Sequence, residues 1–294
     1  MGWLATKCRA STIRTYLFGI GNWHKEAQQQ SPIHENDLIW RVWRGIKRTE
    51  GQLGQDLSVR VERRPITSSI LQKITPHIQS QTTEGTMYGA MFTMATFGLL
   101  RLSEFATTSR SAGATPSLPP NVLRWRDITW FDKEGARIHY FDGRLAKRPA
   151  EYRIMLQASK TDPFRKGVTI RILSPTAVRA MKAYANVFGG FVGFNEPPFA
   201  NMTTRQPISR QEVRDKMDKV LAEAGLEPRH YNGHSFRKGG AQSLQDAGVG
   251  ADMIKAIGRW SSDCYRLYIS QTDDALRSAA EAMDTAIIPY QQTA

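Results

Sequence analysis

The sequence predicts an α+β fold, mainly helical, built as a small helical N-terminal module followed by a larger domain with a minor β-sheet. Three observations predict it. Residues 11–29 and 35–49 repeat apolar side chains at helical spacing. Four runs between residues 126 and 173 are short and alternating or β-branched, as strands are. Helical patterning then returns at residue 175 and continues to 287. With 294 residues, 40% of them hydrophobic and 10% aromatic, the chain can bury a proper core and is long enough for two domains.

The first helix, 11–29, takes Ser11 or Thr12 as its cap and sets Ile13, Tyr16, Leu17, Ile20 and Trp23 on one face. The second, 35–49, turns Leu38, Ile39, Val42, Trp43 and Ile46 inward and Arg41, Arg44, Lys47 and Arg48 outward. The stretch EGQLGQDLSVRVERRP, 50–65, has no period and closes on Pro65, so it is expected to be a linker. This sets a module at 1–60 and a main domain at 65–294. Thr67 or Ser68 starts a helix to about Ile78, and TMYGAMFTMATFGLL, 86–100, is apolar almost all round, as a central buried helix is. Residues 107–120 are rich in Ser, Thr, Pro and Gly and are expected to be loop.

Strands are expected at Arg126–Phe131, Ala136–Phe141, Tyr152–Ala158 and Val168–Leu173, with DPFRKG, 162–167, as the turn between the last two. Helices follow at about 175–188, 209–224, 235–247, 250–258 and 273–287.

The formal charge is +13, from 40 Lys and Arg against 27 Asp and Glu. Such an excess draws any polyanion, nucleic acid above all, although a basic surface without a specific partner has the same composition. The basic residues are dispersed (Arg41 to Arg48, then Arg60, Arg63 and Arg64, then Arg144 to Arg148, then Arg165 and Lys166) and do not form a single tail. Two cysteines, Cys8 and Cys264, exclude a disulfide framework and a structural zinc site. The absence of a long apolar run and of a signal-peptide pattern argues for an intracellular protein that does not span a membrane.

P-loop, dinucleotide-binding, HExxH and GxSxG patterns are absent. What remains is a set of cations and hydroxyls in unusual places. Arg101 ends the apolar helix, and a guanidinium there needs an anion: Glu104 three residues on, or a bound phosphate. His234 and Arg237 open a helix at i, i+3, where both can donate to one oxyanion; a capping histidine beside a surface arginine has the same spacing. Lys160 stands beyond a strand at a turn, where lysines are ordinarily just solvated. Trp260, Tyr265 and Tyr268 are spaced as core aromatics are, yet a phenol among cations can also be a nucleophile.

Taken in order, G-L-L-R-L-S-E, a β-turn lysine, H-S-F-R-K-G-G-A, G-R-W and then Tyr resemble the tyrosine recombinase (phage-integrase-like) family, in wording most like recombinases of eukaryotic crypton and DIRS-type mobile elements. The resemblance covers about residues 65–290, and more loosely 1–60 as a DNA-clamping core-binding domain that looks short. It implies a catalytic domain with a minor antiparallel sheet. It also implies DNA cleavage and rejoining through a 3′-phosphotyrosine, with no metal and no cofactor. By position, Arg101 matches the first catalytic arginine and Glu104 its acidic support. Lys160 matches the hairpin lysine, His234 and Arg237 the His-x-x-Arg pair, Trp260 the His/Trp position and Tyr268 the nucleophile. Tyr268 is eight residues beyond Trp260, one closer than in many members, so Tyr265 stays open as an alternative.

Further expectations follow from the resemblance. DNA is contacted by Arg41, Arg44, Lys47, Arg48, Arg63 and Arg64. The C-terminal helix docks on a neighbouring protomer to build a tetramer on DNA, or else on its own domain. In a eukaryotic host the protein works in the nucleus. A DNA-binding protein of the same fold without cleavage, or a type IB topoisomerase-like activity, is the alternative function.

Overall fold

The structure, a computed structural model, describes residues 1–34, 36–52, 62–78, 81–108, 122–141, 144–145, 148–157, 166–188, 193–204 and 206–260. It divides into two compact units, Met1–Val61 and Glu62–Ala294.

In the first unit a single turn, α1 (Gly2–Ala5), leads into α2 (Ala10–Glu26) and α3 (Asp37–Gln52). Ile13, Leu17 and Ile33 form its small core, with Ile39, Trp40, Trp43 and Ile46 packed against them. Two indoles fix the seam: Trp43 Nε1 donates to Ala10 O at 2.7 Å and Trp40 Nε1 to Ile33 O at 3.1 Å. This sets the rotation of α3 and corrects the inward faces expected from sequence. Tyr16, Ile20 and Trp23 of α2 and Leu38 and Val42 of α3 are exposed, Leu38 to 66%, because a two-helix seam is narrower than either apolar stripe.

α3 also runs on through Gln52, into what was expected to be linker. The Glu50 carboxylate accepts from the Ala10 backbone N–H at 3.0 Å, satisfying a free donor in the first turn of α2 and holding the last turn of α3 in place. Residues 53–61 of the expected linker and Glu35 of the expected helix lie outside the described residues.

The second unit opens with a strap rather than a free linker. Arg64 N donates to His230 O at 2.7 Å and Ile66 N to Ser235 O at 2.8 Å. Helix α4 (Ser68–Ile74) is capped by the Thr67 hydroxyl and gives way to a 3₁₀ turn, Thr75–His77, where Pro76 has no N–H to continue the ladder. α5 (Thr83–Phe97) starts three residues earlier than its apolar run because Thr82 caps it, accepting from Gly85 N at 2.9 Å. Beyond its first turn it is buried almost all round, and the Thr93 and Thr96 hydroxyls meet this by donating to backbone carbonyls within the helix.

Against α5 lies an antiparallel sheet of β1 (Ile128–Phe131), β2 (Arg137–Ile138), β5 (Glu151–Leu156) and β6 (Val168–Ile172) in the order β2-β1-β5-β6. Its inward face is set by register, with Ile154 between Ile128 and Ile170, and Tyr152 between Trp130 and Ile172. The strand expected over 136–141 is divided: β2 stays in this sheet, while β3 (Tyr140–Phe141) pairs with β4 (Arg144–Leu145) in a separate ribbon. Helices α6 (Pro175–Phe188), α7 (Arg210–Glu223), α8 (Ser235–Asp246) and α9 (Ala251–Gly258) complete the unit.

The two glycines of H-S-F-R-K-G-G-A are explained by crossings. A Cβ on Gly239 would fall 1.7 Å from Ile66 O, and one on Gly240 would fall 2.3 Å from Thr96 O. The strap and the end of α5 therefore press directly on the backbone of α8.

Most of the loop expected at 107–120, the turn at 162–165, Lys160, Tyr265, Tyr268 and the helix expected at 273–287 lie outside the described residues. Among the described residues, no helix is long and apolar enough to cross a membrane.

Candidate active site

The chain leaves α5 at Gly98 and makes a tight corner through Leu99 before the 3₁₀ turn Leu102–Glu104. Leu99 sits at φ +47°, a left-handed conformation that costs a residue with a side chain roughly 1–2 kcal/mol. The corner aims the Leu99 carbonyl at two arginines. Arg237 Nη1 donates to it, and so does Arg259 Nη2, the latter at 3.0 Å.

Glu104 is the anion at the centre, 2% exposed. One carboxylate oxygen accepts from Arg101 Nη1 at 3.0 Å. The other accepts from Arg101 backbone N at 2.8 Å and from Arg259 Nη2 at 3.4 Å. Arg101, whose side chain keeps 17% of its exposure, is thus held by its guanidinium and its backbone at once.

Arg237 enters from the first turn of α8 and is 1% exposed. Its two terminal nitrogens donate to Leu99 O and Gly258 O. The ring of Trp260 lies against its guanidinium carbon at 4.4 Å, a cation–π contact in a desolvated place. Trp260 itself is 8% exposed and packs with Leu99, Ala241 and Ile254. Gly258 makes this possible, since a Cβ there would sit 1.7 Å from the indole.

His234 is the N-cap residue of α8, exposed, and its backbone N donates to Asn232 Oδ1 at 2.9 Å. The preceding Gly233 is tight against Leu102, the residue after Arg101: a Cβ there would fall 2.5 Å from the Leu102 side chain. The His-x-x-Arg turn therefore rests on the Arg101–Glu104 turn.

Of the residues singled out in sequence, the structure brings together Arg101, Glu104, Arg237 and Trp260, with His234 at the rim. Lys160 and Tyr268 lie outside the described residues. Arg41, Arg44, Lys47 and Arg48 are exposed along α3, Arg44 paired with Asp37 at 3.2 Å and Lys47 set over the Trp43 ring. Arg63 is exposed as well, and its guanidinium donates to Arg229 O at 2.5 Å and Tyr231 O at 3.2 Å, closing the strap. Arg64 is exposed.

The residue that the sequence reading missed is Arg259. It follows α9 at φ +58°, so its side chain turns back under the helix and its guanidinium is nearly enclosed. Burial lowers its affinity for the proton, the Glu104 carboxylate works against that, and Arg101 adds to it. The signal was present: an arginine next to a helix-ending glycine and followed by tryptophan.

An α+β unit with a central buried helix and a small four-stranded antiparallel sheet is the fold of tyrosine recombinase catalytic domains. Three solved structures carry the comparison. A XerH site-specific recombinase, bound to a palindromic difH substrate in a post-cleavage complex, matches with TM-score 0.54 at 12% identity over 78% of this chain. This chain spans 55% of that longer one. A XerA recombinase matches with TM-score 0.52 at 14% identity, over 94% of this chain and 83% of its own. The Tn1549 transposon integrase, in complex with circular intermediate DNA, gives TM-score 0.52 at 14% identity, over 94% and 81%. No family model and no curated protein matches the sequence.

Proposed function

We propose that this protein is a DNA recombinase or integrase that cleaves and rejoins strands through a phosphotyrosine, for a mobile element. The observation that supports it most is the convergence of Arg101 and Arg237, far apart in sequence, on one corner of chain at Leu99–Glu104. In this reading the module at 1–60 and the domain at 65–294 both contact DNA, and Arg41, Arg44, Lys47, Arg48, Arg63 and Arg64 meet its backbone. Arg101 and Arg237 take the non-bridging oxygens of the scissile phosphate, where the planar guanidinium fork is worth more than an ammonium. His234 donates from the rim, Lys160 protonates the leaving 5′-oxygen, and Tyr268 attacks. Positioning and charge neutralisation carry the reaction, as phosphoryl transfer requires.

The burial of Arg237 adds a condition. With 1% of it exposed, docking of DNA has to draw the Trp260 ring aside before the fork meets a phosphate. That burial is also what favours a second reading, a DNA-binding protein of this fold that does not cleave.

Assembly belongs to the proposal. Residues 273–287 carry the stripe Leu276, Ala279, Ala280, Met283 and Ile287 and are taken to dock on a neighbouring protomer, closing a tetramer on DNA. A largely apolar groove of about 560 Å³ between β6, the end of α5, α8 and α9 offers such a segment a seat. In a eukaryotic host the place of action is the nucleus.

The experiment is covalent capture: incubation with supercoiled plasmid DNA, denaturation, and detection of DNA attached to protein. Attachment by the wild type and its loss in Tyr268→Phe, with DNA affinity kept, is the result expected. Attachment that persists in Tyr268→Phe and vanishes in Tyr265→Phe moves the nucleophile to Tyr265. No attachment by the wild type leaves the DNA-binding reading.

A further inference from the structure

Arg259 is a cation with no role in the chemistry proposed above, yet it is wired into that chemistry's two arginines. Its Nη2 donates both to Leu99 O at 3.0 Å, the carbonyl that also holds Arg237, and to the Glu104 oxygen at 3.4 Å on the carboxylate that holds Arg101. Its Nη1 donates to Gly98 O at 3.0 Å, the last residue before the corner. One planar group therefore fixes the corner and the carboxylate together, and only a fork with several donors in fixed directions can do this.

We infer that Arg259 is a positioning residue for the phosphate cleft, locking the Leu99 corner and Glu104 so that the guanidinium groups of Arg101 and Arg237 keep one mutual geometry. It touches no substrate. The inference rests on the proposal that Arg101 and Arg237 receive a phosphate. It extends that proposal by adding a third arginine, contributed by the residue that leads directly into Trp260. Because Arg259 is the C-cap of α9, the end of that helix is anchored to the same corner as the cleft.

The probe is inorganic phosphate, and the proteins are the full-length wild type, Arg259→Lys, Arg259→Gln, Arg101→Lys and the Arg101→Lys/Arg259→Lys double variant. Phosphate raises the melting midpoint of the wild type, and Arg101→Lys defines the part of that rise that belongs to the cleft. The same part is expected to vanish in Arg259→Lys, with no further loss in the double variant. Arg259→Gln tests the point again where the lysine variant does not fold. In the covalent-capture assay, Arg259→Lys is expected to slow attachment on the order of 10- to 100-fold, the scale of a misplacement of about 1 Å, with DNA affinity unchanged. A folded Arg259→Lys that keeps the wild-type phosphate response overturns the inference, whether or not DNA is cleaved. A wild type that attaches to no DNA, while phosphate response is lost in Arg259→Lys, removes the recombinase reading and leaves Arg259 in this role.

Discussion

Replacing Glu104 by alanine should destabilise the second unit more than any other single change at the site. The carboxylate is 2% exposed and serves three donors: Arg101 Nη1 at 3.0 Å, Arg101 N at 2.8 Å and Arg259 Nη2 at 3.4 Å. Removing it leaves two guanidinium groups facing each other around a small cavity without an anion. Breaking a buried pair in this way typically costs about 3–5 kcal/mol, a large share of the roughly 5–15 kcal/mol that holds a domain folded. Glu104→Gln keeps one acceptor but turns an amide N–H toward cations, so about 2 kcal/mol is expected from the lost charge-assisted bonds. Urea unfolding followed by circular dichroism reads both. With a slope of about 2–3 kcal/mol per molar, the alanine variant should unfold at a midpoint about 1–2.5 M lower with the slope unchanged. A shift below about 0.3 M for Glu104→Ala would mean that Arg101 and Arg259 do not depend on this carboxylate.

Gly239→Ala places a Cβ 1.7 Å from Ile66 O, so it should push the strap off α8 and cost about 1–3 kcal/mol; a melting midpoint equal to the wild type would refute that crossing. Glu151 is 4% exposed and bonded by Arg171 and Arg153; burial pushes its carboxyl up, but those two hydrogen bonds outweigh it, and the group lies below its ordinary 4.5. Its stabilisation is therefore present above that ordinary value and is lost as pH falls through the lower, folded-state one. Glu151→Gln should flatten the acid limb of the stability curve, and identical limbs would exclude the group. DNA affinity should fall steeply with salt, with a log–log slope near −5 if about six phosphates are met; a slope shallower than about −1 would argue against a basic DNA face. Deleting residues 273–294 should leave single protomers on DNA, and sedimentation showing tetramers of the shortened protein would refute the docking proposed for that segment.

Much of the second unit was legible in sequence because its signals are local. Thr67 as a cap, the all-round apolar character of α5 and the alternation of Tyr152, Ile154 and Leu156 each reflect a neighbour a few residues away. The first unit was harder. Tyr16, Ile20, Trp23, Leu38 and Val42 have the spacing of a buried face, and only the indole bonds of Trp40 and Trp43 decide that the seam closes beside them. At the site, residue types and order pointed to Arg101, Glu104 and Arg237, but not to what surrounds them. Arg237 is held by carbonyls of Leu99 and Gly258, and a carbonyl is the same in every residue, so no pattern announces it. Arg259 escaped for the related reason that its left-handed backbone, not its spacing, carries the side chain inward.

The contact between Gly258 and Trp260 has a bearing on how such chains vary over time. A Cβ at 258 would overlap Cζ3, Cε3 and Cη2 of the indole at 1.7, 2.0 and 2.5 Å, all of them atoms of its six-membered ring. An imidazole at 260 has no such ring and vacates that volume. The two positions are therefore heritable as a unit: tryptophan at 260 obliges glycine at 258, whereas histidine at 260 frees 258 to take an aliphatic side chain that refills the space. A library randomised at both codons and selected for the folded protein should return those pairings and reject a branched residue beside tryptophan.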